Sequence, residues 1–184
     1  MLVVNFSPFP EITTDRLFLR QVHNDDTDAI FNLRSNSSVM KYIDRRRAVT
    51  VQDALDVMKL MSDLLEKNEG ITWAITLKDD PSRLIGTIGY WRFNKENYRA
   101  EIGYMLSADF WKQGIMKEAI YAVIPYAFNT LGLHSIEADI HPDNTASATL
   151  LGSTGFVKEA HFKENYFFEG VFKDTIIYSR LNNK

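Results

Sequence analysis

The chain has 184 residues, enough for one domain with a sizeable core, and its 45% hydrophobic and 24% charged residues are ordinary for a globular protein. A formal net charge of -3 without any long block of like charge argues against a nucleic-acid tail. The absence of cysteine excludes disulfides, thiolate metal sites and a cysteine nucleophile, and it fits a reducing cytoplasm.

The chain reads as one domain, 1–184, without repeats, low-complexity tracts or a linker. Met1 to Pro10 lacks the basic start of a signal peptide. The longest apolar run, Ala119 to Phe128, falls far short of the roughly 20 residues that span a bilayer, so a soluble protein is expected. Ile12 to Val22 reads as a first strand, because Leu17 and Leu19 alternate with Arg16, Phe18 and Arg20. Asp25-Asp26 should cap a helix carrying Ile30, Phe31 and Leu33. A second helix is expected over Val51 to Lys67, where Ala54, Leu55, Met58, Met61 and Leu65 recur at helical spacing and Gly70 closes the element.

The middle of the chain predicts three strands, Thr72 to Leu77, Leu84 to Phe93 and Tyr98 to Leu106, with turns at Asp79 to Ser82 and Asn94 to Asn97. Such short connections permit only an antiparallel meander. A helix from Gly114 to about Thr130 follows. It is apolar nearly all round from Ala119, hence buried, bent at Pro125 and ended by Gly132. Ser135 to Ile140 is a strand reached across that helix and so parallel to a neighbour; Thr145 to Gly152 is a short helix; strands from Phe156 and Val171 end the chain. The sum is an α/β layer with a mixed sheet.

Three segments carry chemistry worth weighing. At Trp111-Lys112-Gln113-Gly114-Ile115-Met116-Lys117, the unpaired amides of a helix start and a glycine offer a seat for a phosphate; alternatively Gly114 only makes the turn. Asn144 and Ser147 lie three apart on one face of the short helix and can point at one ligand; alternatively Asn144 is a plain N-cap. Glu101 shares a strand face with Gly103 and Met105, opposite Ile102 and Tyr104, and is either solvated or a site group. The four histidines show no metal-ligand spacing, so no metal is expected. Arg45-Arg46-Arg47 reads as a solvated loop or, more sharply, as an acceptor or phosphate contact, and Tyr166-Phe167-Phe168 as core in preference to a binding surface.

The order of these segments closely resembles the GNAT superfamily of acetyltransferases, in particular its Rim-type branch of ribosomal-protein N-terminal acetyltransferases. The resemblance runs from about Glu11 to Leu181. It is carried by Thr14-Asp15-Arg16-Leu17-Phe18-Leu19-Arg20, Leu84-Ile85-Gly86 to Tyr90, Glu101-Ile102-Gly103-Tyr104, Trp111 to Ile115, Asn144 to Ser147 with Gly155-Phe156, and Asp174 to Leu181. It implies a three-layer fold, a mixed and mostly antiparallel seven-stranded sheet flanked by helices, with a splayed central strand pair. It implies acetyl-coenzyme A as co-substrate and direct transfer of acetyl to an amine, with no acyl-enzyme. Backbone groups of Tyr104, Met105 and Leu106 would hold the pantetheine arm, the amides of Gln113, Gly114, Ile115, Met116 and Lys117 the pyrophosphate, and Asn144 the thioester end.

Glu101 is the expected base, acting through water. Many members protonate the leaving thiolate with a tyrosine in the helix after the asparagine; that position is Leu151 here, and Ser147 takes the role as in the Rim-type branch. The loop departs from the family at Trp111, Met116 and Lys117, where side chains are bulkier. The expected acceptor is a protein N-terminal α-amine. A polyamine, an aminoglycoside or a free amino acid is the alternative, and a non-catalytic acyl-coenzyme A sensor is the rival from another class.

Overall fold

The computed structural model describes residues 1–182; the last two residues of the expected 1–184 domain lie outside the described residues. The strands are β1 (Ile12–Thr13), β2 (Leu17–Gln21), β3 (Ile71–Leu77), β4 (Asp80–Asn94), β5 (Arg99–Leu106), β6 (Ser135–Ile140), β7 (Val157–Phe168) and β8 (Val171–Leu181). The helices are α1 (Thr27–Ser35), α2 (Val51–Glu66), α3 (Ile115–Pro125) and α4 (Thr145–Ser153). All eight strands join one sheet in the order β1-β2-β3-β4-β5-β6-β8-β7, and only β5 and β6 run parallel.

Strand alternation sorts the sheet into two covered faces. Trp73, Ile75, Ile88, Tyr90 and Ile102 point to the side of α3, where Ala119, Ile120, Val123 and Leu151 complete the main core. Ala74, Leu84 and Met105 point the other way and meet Ile30 and Leu33 of α1 and Ala54 and Met58 of α2. Every odd residue of β5 from Glu101 therefore faces the α1–α2 layer, and every even one faces α3 and α4.

The eighth strand arises where the sequence suggested one. The expected strand Ile12 to Val22 folds back on itself, pairing Ile12 with Leu19 and Thr13 with Phe18. The turn contains no glycine or proline; it is held from outside. Glu118 of α3 accepts from the Thr14 hydroxyl at 2.6 Å, the Arg16 amide at 3.0 Å and the Arg16 guanidinium at 2.7 Å. The expected turn at Asp79 to Ser82 is tighter, with Leu77 opposite Asp80, and Pro81 to Arg83 bulge out before Leu84 pairs with Thr76. Arg20 fixes that bulge through the carbonyls of Pro81 (2.8 Å) and Ser82 (3.2 Å). The same guanidinium makes a bidentate, buried pair with Asp26, so the residue at the N-cap of α1 turns its side chain to an ion pair rather than to the helix amides.

Two further expectations need correction. The helix from Gly114 is not buried all round: its inner face is, but Tyr121 and Pro125 lie exposed. After Pro125, which has no amide to donate, the chain widens into a π turn over Tyr126–Thr130 before Gly132 ends it. The aromatic cluster Tyr166-Phe167-Phe168 is not core. The β7–β8 hairpin runs past the layers that would cover it, leaving Phe167 and Phe172 exposed and stacked edge-on at 5.0 Å. Tyr166 instead donates to Asp44, in the segment joining α1 to α2, and Lys173 pairs with the same carboxylate. Tyr42 of that segment stacks on His141 at the end of β6, with centroids 5.6 Å apart. The α1–α2 connection is thus clamped across the sheet edge where β6 ends.

Candidate active site

The parallel ladder between β5 and β6 has three rungs, Arg99–Ser135, Ala100–Ile136 and Glu101–Glu137. Beyond Glu101 the two strands part: β5 continues to Leu106 on β4, and β6 continues to Ile140 on β8. From Ile102 to Leu106, then, β5 has its β4 edge paired and its β6 edge open, which leaves backbone donors and acceptors for a ligand in the gap. Tyr104, Met105 and Leu106 lie on this open edge; the Leu106 carbonyl is already taken by the Trp111 indole N–H at 2.9 Å. That contact gives the bulky Trp111 a structural use.

Glu101 occupies the last rung, at the vertex of the gap, with its side chain 15% exposed. It is not solvated, and it is not alone. Arg92 reaches it at 2.7 Å and also lies 3.8 Å from Asp139. Arg92 gets there because the β4–β5 register slips between Trp91 and Asn94, where Arg92 takes a left-handed φ of 49°. Burial, and next the charge of Asp139, push the Glu101 carboxyl above its ordinary range, outweighing the Arg92 guanidinium. Asp139 is raised as well, chiefly by burial. Gly103, two residues on, is needed for packing: a Cβ there would sit 1.8 Å from the Trp91 ring.

On the opposite face, α4 begins at Asn144. Its side-chain oxygen accepts from the Ser147 amide at 3.1 Å, so it does act as an N-cap, while its amide NH2 stays available to a ligand. Ser147 is buried, and its hydroxyl lies 2.6 Å from the hydroxyl of Tyr104. Burial pushes the Tyr104 hydroxyl up to about 12. Leu151, the position where a helix tyrosine would stand, is fully buried in the core. Sequence reasoning placed Tyr104 as a backbone contact only; its phenol arrives across the gap from a neighbouring strand, and no local spacing signals that.

The start of α3 is shaped for an anion. Gly114 is its N-cap with φ 77°, and the first-turn amides that follow have no helical acceptor. Ile115 and Met116 turn their side chains into the core, so the bulk of Met116 lies away from those amides, and Lys117 is exposed. Gln113 folds its side chain back onto the Asp109 carbonyl at 2.8 Å, and its own carbonyl accepts from Arg16 at 3.0 Å. Arg16 and Glu118 therefore brace this loop against the β1–β2 turn, a role that neither residue's sequence context revealed. Among the described residues there is no group of His, Cys, Asp or Glu arranged for a metal.

A sheet parted beyond Glu101, an open strand edge in the gap, a helix start suited to an anion beside it and buried hydroxyls opposite form one cleft, the kind of site a group-transfer enzyme needs. The particular family follows from comparison. Residues 16–157 match the acetyltransferase (GNAT) domain, and the chain belongs to the GNAT family. It is 37% identical over 171 residues to the uncharacterized N-acetyltransferase YoaA of Bacillus subtilis, covering 93% of this chain and 96% of that one. It also matches the ribosomal protein uS5-alanine N-acetyltransferase of Escherichia coli at 25% identity, over 92% of this chain and 90% of that one. The crystal structure of a GNAT-family acetyltransferase from Bacillus anthracis superposes with a TM-score of 0.84 at 25% identity, over 95% of this chain and all of that one. The protein is an acetyl-coenzyme A-dependent N-acetyltransferase.

Proposed function

We propose that the protein acetylates the N-terminal α-amine of a protein or peptide, as a single cytoplasmic domain. The observation that carries this reading is the position of Glu101 at the vertex of the β5–β6 gap, one sheet face away from Ser147. The pantetheine arm lies along the open edge of Tyr104 to Leu106, the pyrophosphate on the amides from Gln113 to Lys117, and the Asn144 amide faces the thioester end. The amine attacks the thioester carbonyl and gives up a proton through water to Glu101. The C–S bond then breaks, its electron pair stays on sulfur, and Ser147 meets the departing thiolate with its hydroxyl hydrogen while the amine's proton returns to sulfur through water. No group on the protein carries the acetyl.

The basicity of the acceptor favours an α-amine. Its reference pKa is about 7.7–8.0 against about 10.4 for lysine, so at neutral pH much more of it is already nucleophilic. A base that works through water suffices for the first and not for the second. With a peptide bearing Ala or Ser at its N-terminus and an internal lysine, mass spectrometry should find acetyl on the α-amine. Acetylation of the lysine alone, or of polyamines with none on peptides, transfers the assignment to the small-amine reading. That second reading draws support from the paired carboxylates Glu101 and Asp139, which suit any cationic acceptor.

Ser147→Ala should lower kcat by about 10–150-fold, the worth of a hydrogen bond to a charged sulfur, about 1.5–3 kcal/mol. The Kd for acetyl-coenzyme A should stay within a few fold. Steady-state kinetics beside calorimetry checks both, and an unchanged kcat removes Ser147 from the leaving-group step.

A further inference from the structure

We propose that Tyr104 is a positioning residue for the leaving group: its hydroxyl donates to Ser147 Oγ and so frees the serine's own hydrogen to meet the departing sulfur. The inference rests on the reading of Ser147 given above and adds to it a residue with a different job.

The first observation is what Ser147 does not do. A serine or threonine inside a helix ordinarily turns its hydroxyl back onto a carbonyl one turn earlier. Three hydroxyls of α4 and its end behave so: Thr149 donates to the Thr145 carbonyl at 2.9 Å, Ser153 to Leu150 at 2.9 Å and Thr154 to Leu150 at 3.1 Å. Ser147 does not. Among the described residues its hydroxyl has one partner, the Tyr104 phenol, at 2.6 Å.

The direction of that bond follows from chemistry. A phenol is a far stronger acid than an alcohol, and an alcohol oxygen is the better acceptor, so Tyr104 donates and Ser147 accepts. A serine hydroxyl has one hydrogen and two lone pairs. With one lone pair occupied by Tyr104, the hydrogen remains unspent and is polarised by the bond it receives. Burial, which pushes the Tyr104 hydroxyl up to about 12, keeps the phenol protonated, and therefore donating, across the pH range in which an amine acceptor is neutral.

The strand fixes the phenol in place. Tyr104 lies on the α3–α4 face of β5 with Ile102 and Leu106 and packs against the main core. Its neighbour Gly103 is pinned from the other face by Trp91. The step balances without net transfer by Tyr104. The C–S electron pair remains on sulfur as a thiolate that accepts a hydrogen bond from Ser147, the serine oxygen keeps the hydrogen bond from Tyr104, and the thiolate takes up through water the proton that the amine gave up as product leaves.

The test uses coenzyme A alone, so it needs no knowledge of the acceptor. The ultraviolet absorbance of the bound thiolate, titrated against pH, gives the pKa of the bound thiol. A free thiol titrates near about 8.5, and a hydrogen bond from Ser147 should place the bound one lower. Tyr104→Phe removes one oxygen and keeps the ring. It should raise the bound thiol's pKa by about 0.4–1 pH unit while coenzyme A affinity at low pH stays unchanged. Ser147→Ala should raise it at least as far, and Tyr104→Phe made in the Ser147→Ala background should add nothing.

A Tyr104→Phe titration that overlays wild type overturns the proposal. So does a Tyr104→Phe shift that persists at full size in the Ser147→Ala background, since the phenol would then act on sulfur directly. If Ser147→Ala alone leaves the bound thiol unmoved, it is the underlying reading of Ser147 that fails.

Discussion

Gly114→Asp should weaken acetyl-coenzyme A binding by at least about a hundredfold, to the point where calorimetry detects no heat. Two effects act together. Gly114 sits at φ 77°, where any side chain is strained, although aspartate tolerates this region better than most residues. The larger effect is electrostatic. The new carboxylate would stand among the amides proposed to receive the pyrophosphate and would lie beside Arg16, whose guanidinium is 3.4 Å from a Cβ at this position. An ion pair formed there would fill the anion seat from within. Gly114→Ala separates the two effects, because it carries the strain without the charge; it should cost only a few fold. Full affinity in a folded Gly114→Asp protein would mean that the pyrophosphate rests elsewhere.

The parts of the fold that were legible in the sequence are those decided by neighbours in the chain. Turn residues at Asp79 to Ser82 and Asn94 to Asn97 located β3, β4 and β5, and the proline in the helix from Gly114 marked where its geometry changes. What escaped was set at a distance. The β1–β2 turn depends on Glu118, about a hundred residues away in sequence, so the segment looked like one strand. The insertion of β8 between β6 and β7 is a matter of long-range pairing, invisible to any local pattern. The aromatic hairpin misled because composition reports what a residue prefers, whereas exposure depends on whether a layer exists above it.

The site divides along the same line. Glu101 and Gly114 were noticed because a carboxylate on a strand and a glycine at a helix start are locally odd. Arg92, Asp139 and the Tyr104 hydroxyl were missed because each becomes a neighbour of the site only through folding: a slipped register, a parallel strand and a gap crossed from β5 to α4.

Glu101→Gln should lower kcat/KM at neutral pH by about 10²–10⁴, the usual worth of a positioned base, and the deficit should shrink as pH rises. The sign follows from the groups around it. If Glu101 is the base, as proposed, the acid limb of the wild-type rate profile should report its protonation and lie above the ordinary carboxylate range, because burial together with Asp139 raises the carboxyl, with Arg92 opposing. In the variant that limb disappears, and the rate should instead climb with deprotonation of the acceptor amine itself. The same shift fixes a stability outcome. A carboxyl whose folded pKa exceeds its unfolded value binds protons more readily in the folded state, so ionising it costs stability once pH passes the folded value. Glu101→Gln relieves that cost and leaves Arg92, which is 61% exposed, free to turn to water. The variant should therefore unfold no earlier than wild type at neutral pH while losing most of its activity. A Glu101→Gln protein that is equally slow at every pH would make Glu101 a positioning group, and one that is also markedly less stable would make its pairing with Arg92 part of what holds β4 to β5.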